Sequence, residues 1–420
     1  MSSTAARRAL RWTSAAAAAA LPVAAGVTWA GARVLTDTPS PRVRVPTMDA
    51  RFLDDQLVEL RGNRANDSGS WGLALDNAFV RIGSPIGQLD EWVQRPYTLL
   101  DGAVPLAAQQ LDRRIGARRR ADDTSSTSDA GGRWRRLRRD RRRTTEPPPW
   151  PQRATITPFA WPDDPQVLAR CTGSSFRVDG VRSGGHVLPV WILEPPNAND
   201  TWVVGVHGRG SPRTELFRIA EVALGLGHPV LLASYRTDAW TSAPAPTTTL
   251  GTLEWRDAEA NVAAALSAGA RQVVLAGCSL GGGLVAQVMR RSELAPWVAG
   301  VVLDSPALAW APLLRYVARR RRLPAVMVGP VMAAARLRSA VDWSALDHLA
   351  AGAEFSQPVL VLHGLQDDVV PSWMSEAFAT ARPDLVTLEL FEHADHVTSW
   401  NHAPLRYERA VRRFLARIVA

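Results

Sequence analysis

From residue 151 onward the chain alternates short apolar runs with longer amphipathic stretches. Trp202-Val-Val-Gly-Val, Pro229-Val-Leu-Leu-Ala, Val273-Val-Leu-Ala, Val298-Ala-Gly-Val-Val-Leu-Asp, Pro358-Val-Leu-Val-Leu and Val386-Thr-Leu-Glu-Leu each have the composition of a strand in a buried sheet. Helix-compatible stretches separate most of them, at Thr214 to Leu226, Glu254 to Ala268, Gly282 to Arg291 and Ser372 to Ala381. That alternation predicts an α/β domain with a mostly parallel sheet and helices on both faces. Ser175-Phe-Arg-Val-Asp and Val187-Leu-Pro-Val-Trp-Ile-Leu predict an antiparallel pair that opens the sheet. Residues 305–357 form a helical insertion, placed where a cap over a site would sit, and contain Arg319-Arg-Arg-Arg.

Upstream the pattern changes. Residues 37–106 mix short extended pieces with turn signals, and Ser70-Trp-Gly-Leu-Ala-Leu and Ala78-Phe-Val-Arg-Ile predict a hairpin turning at Asp76-Asn77. This region reads as a small extended, β-rich appendage. Residues 107–150 are arginine-dense and close on Pro147-Pro-Pro-Trp-Pro. They hold too little apolar surface to order themselves, so they read as a solvated insertion. The alternative is a patch for anionic lipid or nucleic acid, but nothing in the segment interleaves aromatics as a nucleic-acid surface does. No nucleic-acid partner is expected.

At the N-terminus, Arg7, Arg8 and Arg11 precede an uncharged stretch from Trp12 to Ala32. Its length suits a membrane anchor, within a segment 1–36, and small residues between Ala24 and Ala32 also allow a cleaved signal. The expectation is a single-pass tether to the cell membrane with the catalytic domain (151–420) outside the cytoplasm, or secretion after cleavage.

Composition narrows the chemistry. The two cysteines, Cys171 and Cys278, exclude a disulfide scaffold and a cysteine-rich metal site. No lysine is present, so all 49 basic residues behind the +9 net charge are arginine, which is compatible with codon bias in a GC-rich genome. No ligand cluster or phosphate-cradling glycine loop appears, so neither metal nor organic cofactor is expected.

The chemistry centres on Gly277-Cys278-Ser279-Leu280-Gly281, between an apolar strand and an apolar helix. Such a strand–turn–helix elbow exposes its serine in a strained turn and aims helix N–H groups at charge developing nearby. A serine hydroxyl needs a base and an orienting carboxylate. His363-Gly-Leu-Gln-Asp-Asp-Val-Val-Pro follows a strand and offers Asp367, with Asp368 and Asp304 as rivals. Phe391-Glu-His-Ala-Asp-His follows the next strand and offers His396, with His393 as the rival. Upstream, His207-Gly-Arg-Gly follows another strand, and the backbone N–H groups of Arg209 and Leu280 form a candidate oxyanion hole. His207 and His363 read as loop-fixing residues.

With these motifs in order, the chain from about 170 to 420 resembles the α/β-hydrolases. Within them it is most similar to the prolyl-oligopeptidase-like and serine-aminopeptidase-like branch, and residues 71–86 resemble the appendage of some membrane-anchored members. The resemblance implies a Ser279–Asp367–His396 triad acting on a small-molecule ester, thioester or peptide. Carboxylesterase-like action is favoured slightly over peptidase-like. The alternative from another class is a catalytically idle, membrane-tethered scaffold of the same fold that binds a partner or an anionic lipid surface.

Overall fold

The computed structural model describes residues 26–38, 47–53, 56–76, 78–102, 151–238, 241 and 244–419. The arginine-dense segment and the first 25 residues lie outside them. The chain divides into two compact units.

The first unit in sequence order is a β-barrel. Strands β1 (Thr47–Phe52), β2 (Leu57–Arg61), β3 (Trp71–Leu75), β4 (Ala78–Ile82), β5 (Gly87–Leu89), β6 (Trp92–Gly102) and β7 (Gln152–Thr157) form one sheet in the order β2-β1-β7-β3-β4-β6-β5, with β2 also paired to β6. The last pairing closes a ring of antiparallel strands, which leaves β5 as an extra edge. The expected hairpin is present as the antiparallel β3–β4 pair, from Trp71↔Ile82 to Leu75↔Ala78. The small appendage of the sequence reading is therefore corrected to a closed barrel.

Two features hid the closure. The 11-residue β6 serves two neighbours, pairing Leu57↔Pro96 on one side and Ala78↔Gly102 on the other. The stave between β1 and β3 comes from Gln152–Thr157, beyond the arginine-dense segment, where the sequence places the next domain. Alternate residues point inward, and Met48, Ala50 and Phe52 join Leu60, Trp71, Leu73, Ile82 and Ile156 in the barrel core. Arg95 is fully buried in this unit and donates to the carbonyls of Gly83, Ala65 and Gly69. Burial lowers its pKa to about 10.

The second unit holds an 8-stranded sheet ordered β15-β14-β13-β12-β10-β11-β9-β8. Strands β10 (Thr201–Val206), β11 (Val230–Ala233), β12 (Gln272–Cys278), β13 (Val298–Asp304), β14 (Val359–Gly364) and β15 (Val386–Phe391) pair in parallel. At one end of the sheet β9 (His186–Glu194) and the edge strand β8 (Ser175–Ser183) pair antiparallel, so the sheet is mixed and not purely parallel. Every residue of β10, β11 and β14 is buried, which is why these strands read as unbroken apolar runs.

The helices Trp255–Ser267 and Leu280–Arg291 share a core with Val204, Leu275 and Leu303 on one face. On the other face Leu216 lies against Gly205, and Phe414 and Ile418 lie against Gly300. The insertion after β13 folds into the helices Trp310–Arg320 and Val328–Ser339.

The chain order reverses at β10, whose neighbours are β11 on one side and β12 on the other. In open α/β sheets, sites form outside the carboxyl ends of strands at such a switch point. No helix among the described residues is long and apolar enough to cross a membrane. The end of the uncharged N-terminal stretch is instead helical over residues 26–36, with Ala32 fully buried against Ala334 and Ala335.

Candidate active site

Ser279 lies between β12 and the helix Leu280–Arg291 with φ 50° and ψ −116°, a conformation that costs a non-glycine residue about 1–3 kcal/mol. The turn is possible because Gly281 has no side chain: a Cβ there would sit 2.1 Å from the Val206 carbonyl oxygen. The elbow is braced from below, since the Ser279 N–H donates to the Asp304 carbonyl at 2.9 Å and the Ser279 carbonyl accepts from Ala307 at 3.0 Å.

The loops after β12, β14 and β15 converge on this serine. His396 Nε2 is 2.9 Å from Ser279 Oγ, and His396 Nδ1 is 2.7 Å from Asp367 Oδ2. A carboxylate only accepts, so Nδ1 carries the proton and Nε2 presents its lone pair to the serine O–H. Burial pushes the His396 pKa down, but the hydrogen bond and charge of Asp367 outweigh it and hold the pKa above the ordinary 6.5.

Asp367 is itself well anchored. Its Oδ1 accepts from the N–H groups of Val369 at 2.9 Å and Val370 at 2.7 Å, while Oδ2 lies 3.2 Å from His363 Nε2. Burial raises its pKa, yet the hydrogen bonds from His363 and His396 prevail and keep the carboxyl well below the usual range. Gly364 lets the two loops meet, because a Cβ there would lie 2.2 Å from the Ala394 carbonyl oxygen. Val397, next to His396, is held at φ 54° with its carbonyl accepting from buried Arg218 at 2.6 Å.

The rivals fall elsewhere. Asp304 is fully buried and takes the Tyr407 hydroxyl at 2.9 Å. Burial raises its pKa. The Asp368 N–H donates to Asp395, so this residue braces the loop. The rival histidine, His393, is exposed; His348, in the cap, is buried beside the Arg290 guanidinium, and its pKa is lowered to about 3, chiefly by burial.

The loop after β10 supplies the candidate oxyanion donor, and a Cβ on Gly208 would lie 3.2 Å from Ser279 Cβ. The Gly208 carbonyl accepts from Tyr235 Oη at 3.0 Å and from His207 Nδ1 at 2.8 Å. The Gly208–Arg209 peptide is planar, and in the trans form its C=O and N–H point in opposite directions. Holding that carbonyl from behind therefore aims the Arg209 N–H away, on the side opposite Tyr235. The preceding Gly208 N–H is already taken by buried Glu215, at 2.6 Å. Among the loop hydrogen bonds of the described residues, no backbone carbonyl accepts from the N–H of Arg209 or Leu280.

Sequence reasoning missed Glu215 and Asp238. The available signal was a buried histidine in a glycine loop followed by an acid just past the next strand. Both ring nitrogens of His207 face acceptors, the Gly208 carbonyl and Asp238 Oδ2 at 2.9 Å, an arrangement that favours the protonated ring. Burial alone would lower its pKa; the Asp238 charge and hydrogen bond outweigh it and raise the pKa above 6.5. The folded protein thus holds a proton that the unfolded chain releases near pH 6.5, so this stabilisation is complete at lower pH and is lost as pH rises through the raised value. Asp238→Asn removes the charge, leaves burial dominant and should reverse that slope. Denaturant midpoints of the two proteins from pH 6 to 9 check it, and their difference isolates His207 from His396, whose shift has the same sign.

The Arg209 side chain runs the other way. Its Nη2 donates to the carbonyls of Val34 at 3.1 Å and Asp37 at 2.6 Å, at the C-terminal end of the helix over residues 26–36. Burial lowers the guanidinium pKa. Arg338 holds the same helix end through Thr36 Oγ1 at 3.0 Å and the Asp37 carboxylate.

No family model matches the chain, and no curated protein matches it significantly. Among solved structures it is similar to an esterase from Pyrococcus furiosus, with 20% identity and a TM-score of 0.47 over 60% of this chain and 94% of that one. Est1E from Butyrivibrio proteoclasticus gives 17% identity and a TM-score of 0.44 over 58% of this chain and 98% of the other. The acylaminoacyl peptidase of Pyrococcus horikoshii gives 17% and 0.45 over 58% of this chain, which spans only 41% of that protein. These likenesses point to no branch and no membrane-anchored type, and at such values they decide nothing about chemistry. That rests on the geometry above.

Proposed function

We propose that this protein is a serine hydrolase that cleaves a carboxylic ester, thioester or amide through an acyl-enzyme on Ser279. The observation that carries the reading is the unbroken chain Ser279 Oγ, His396 Nε2, His396 Nδ1, Asp367 Oδ2, with links of 2.9 and 2.7 Å, built on a strained elbow. Ser279 Oγ attacks the carbonyl carbon while His396 Nε2 takes its proton, then delivers it to the leaving oxygen, sulfur or nitrogen. Water, deprotonated by the same nitrogen, releases the acid and restores the serine. Asp367 keeps the proton on Nδ1 and stabilises the imidazolium. The N–H groups of Arg209 and Leu280 bind the oxyanion, each contributing on the order of 3 kcal/mol.

Ester chemistry is favoured only slightly over peptide chemistry. A catalytic domain tethered outside the cytoplasmic membrane goes with this reading, supported by the basic start and the uncharged residues from Trp12 to Ala25 that precede the packed helix. A fluorophosphonate probe tests the catalytic part: it labels the wild type and leaves Ser279→Ala unlabelled. Absence of labelling, or equal labelling of both proteins, would overturn the proposal in favour of an idle scaffold.

A further inference from the structure

Between Asp304 and Asp342 the chain has no carboxylate and seven arginines, and the first 36 residues also have no acid and four arginines. These two stretches lie together. Gly31 abuts Val331, Ala32 packs on Ala334 and Ala335, and Arg338 holds Thr36 and Asp37. Position rises along both helices in the same direction, so the helix over residues 26–36 and the helix Val328–Ser339 run parallel and start at the same end.

That end is the tip of the cap. Residues 321–326, Arg-Arg-Leu-Pro-Ala-Val, are all exposed, with Leu323 at 59% and Val326 at 79% of full exposure. Val27 and Trp29, near the start of the N-terminal helix and so towards the same end, are exposed as well. Arg319 to Arg322 form no ion pair among the described residues, although exposed arginines elsewhere in this chain, such as Arg406 and Arg413, find Glu389. Exposed apolar side chains, a tryptophan and a run of arginines without ion pairs together suit the boundary between lipid headgroups and acyl chains.

We infer that the cap tip, Arg319–Val326 together with Val27 and Trp29, docks on an anionic lipid bilayer. Leu323 and Val326 enter the acyl boundary, and the arginines bind headgroup phosphates. Charge selects this occupant, since an apolar patch on a second copy of the chain would bring the same arginines face to face. Docking there places the bilayer near the proposed site. The Tyr316 hydroxyl, five residues before Arg321 on the same helix, donates to the Asp367 carbonyl at 2.8 Å. Five helical residues span about 7.5 Å.

The test uses full-length protein carrying Ser279→Ala, so the result does not depend on catalysis. The chain is expected to co-sediment with mixed phosphatidylglycerol–phosphatidylcholine vesicles more than with phosphatidylcholine alone, and less as salt rises. Each basic residue at an anionic surface contributes about 1 kcal/mol, so Arg→Gln at 319, 320, 321 and 322 together should weaken binding on the order of 100-fold or more. An environment-sensitive fluorophore on Val326→Cys, in a Cys171→Ser background, should shift to the blue on the mixed vesicles. This readout separates the tip from any hold by the N-terminal stretch. Unchanged binding of the four-arginine variant, or a fluorophore that stays in water on bound protein, would overturn the inference. So would a dimer that Val326→Asp splits, or retention on nucleic acid, if either occurred without vesicle binding.

Discussion

Ser279→Ala is expected to lower kcat for a small ester on the order of 10⁵- to 10⁶-fold, the loss seen when the nucleophile of a cooperating triad is removed. The substituted residue keeps the elbow, because alanine occupies the same backbone position and the braces to Asp304 and Ala307 are main-chain bonds. KM should change little, since the hydroxyl acts on the reacting carbon and not on ground-state binding. Adding His396→Ala should lower kcat little further, because the base has no proton left to take. Steady-state kinetics of the single and double variants check both points, and a full further loss in the double variant would mean that the two residues work separately.

Asp367→Asn is expected to lower kcat on the order of 10⁴-fold, as removal of the triad carboxylate does elsewhere. The size follows from the proton at Nδ1. Asparagine can offer its NH₂ there, which favours the tautomer with the proton on Nε2, where the lone pair is needed. The pH profile supplies an independent sign. Activity needs neutral His396, so it falls as pH drops through the raised His396 pKa. Without the carboxylate, burial dominates and lowers that pKa, so the acidic limb of the residual activity should move to lower pH. A limb that stays in place would show that the group titrating in the wild type is not His396.

How far the sequence led depends on distance along the chain. Five of the six parallel strands, β10 to β14, are legible because each is buried on both faces and needs no partner to be recognised, whereas the edge strand β15 is only partly buried. The loops bearing Ser279, Asp367 and His396 follow strands of this sheet directly, and local motifs mark each one. The barrel is not legible, because its staves β6 and β7 are separated by the arginine-dense segment and β6 pairs on both sides. Local alternation gives the β3–β4 hairpin and nothing about ring closure. The support behind the Arg209 peptide is equally hidden: Asp238 lies 31 residues from His207, Tyr235 lies 27 from Gly208, and neither position carries a periodic signal. Nor does an uncharged stretch reveal where it stops being lipid-compatible and starts packing on protein. Ala32 settles that point, and only through contact with Ala334 and Ala335.

The clasp at Asp37 bears on the order in which the protein matures. The helix end that receives Arg209 is also gripped by Arg338, 301 residues later in the chain. The ribosome releases these groups in sequence, the first long before the last, and domains consolidate as their segments emerge. The earliest piece of the polypeptide therefore lacks its second grip, Arg338, while the elbow is synthesised. The carbonyls that receive Arg209 are made before it, whereas the grip of Arg338 on the same helix end arrives only with the cap, after the serine.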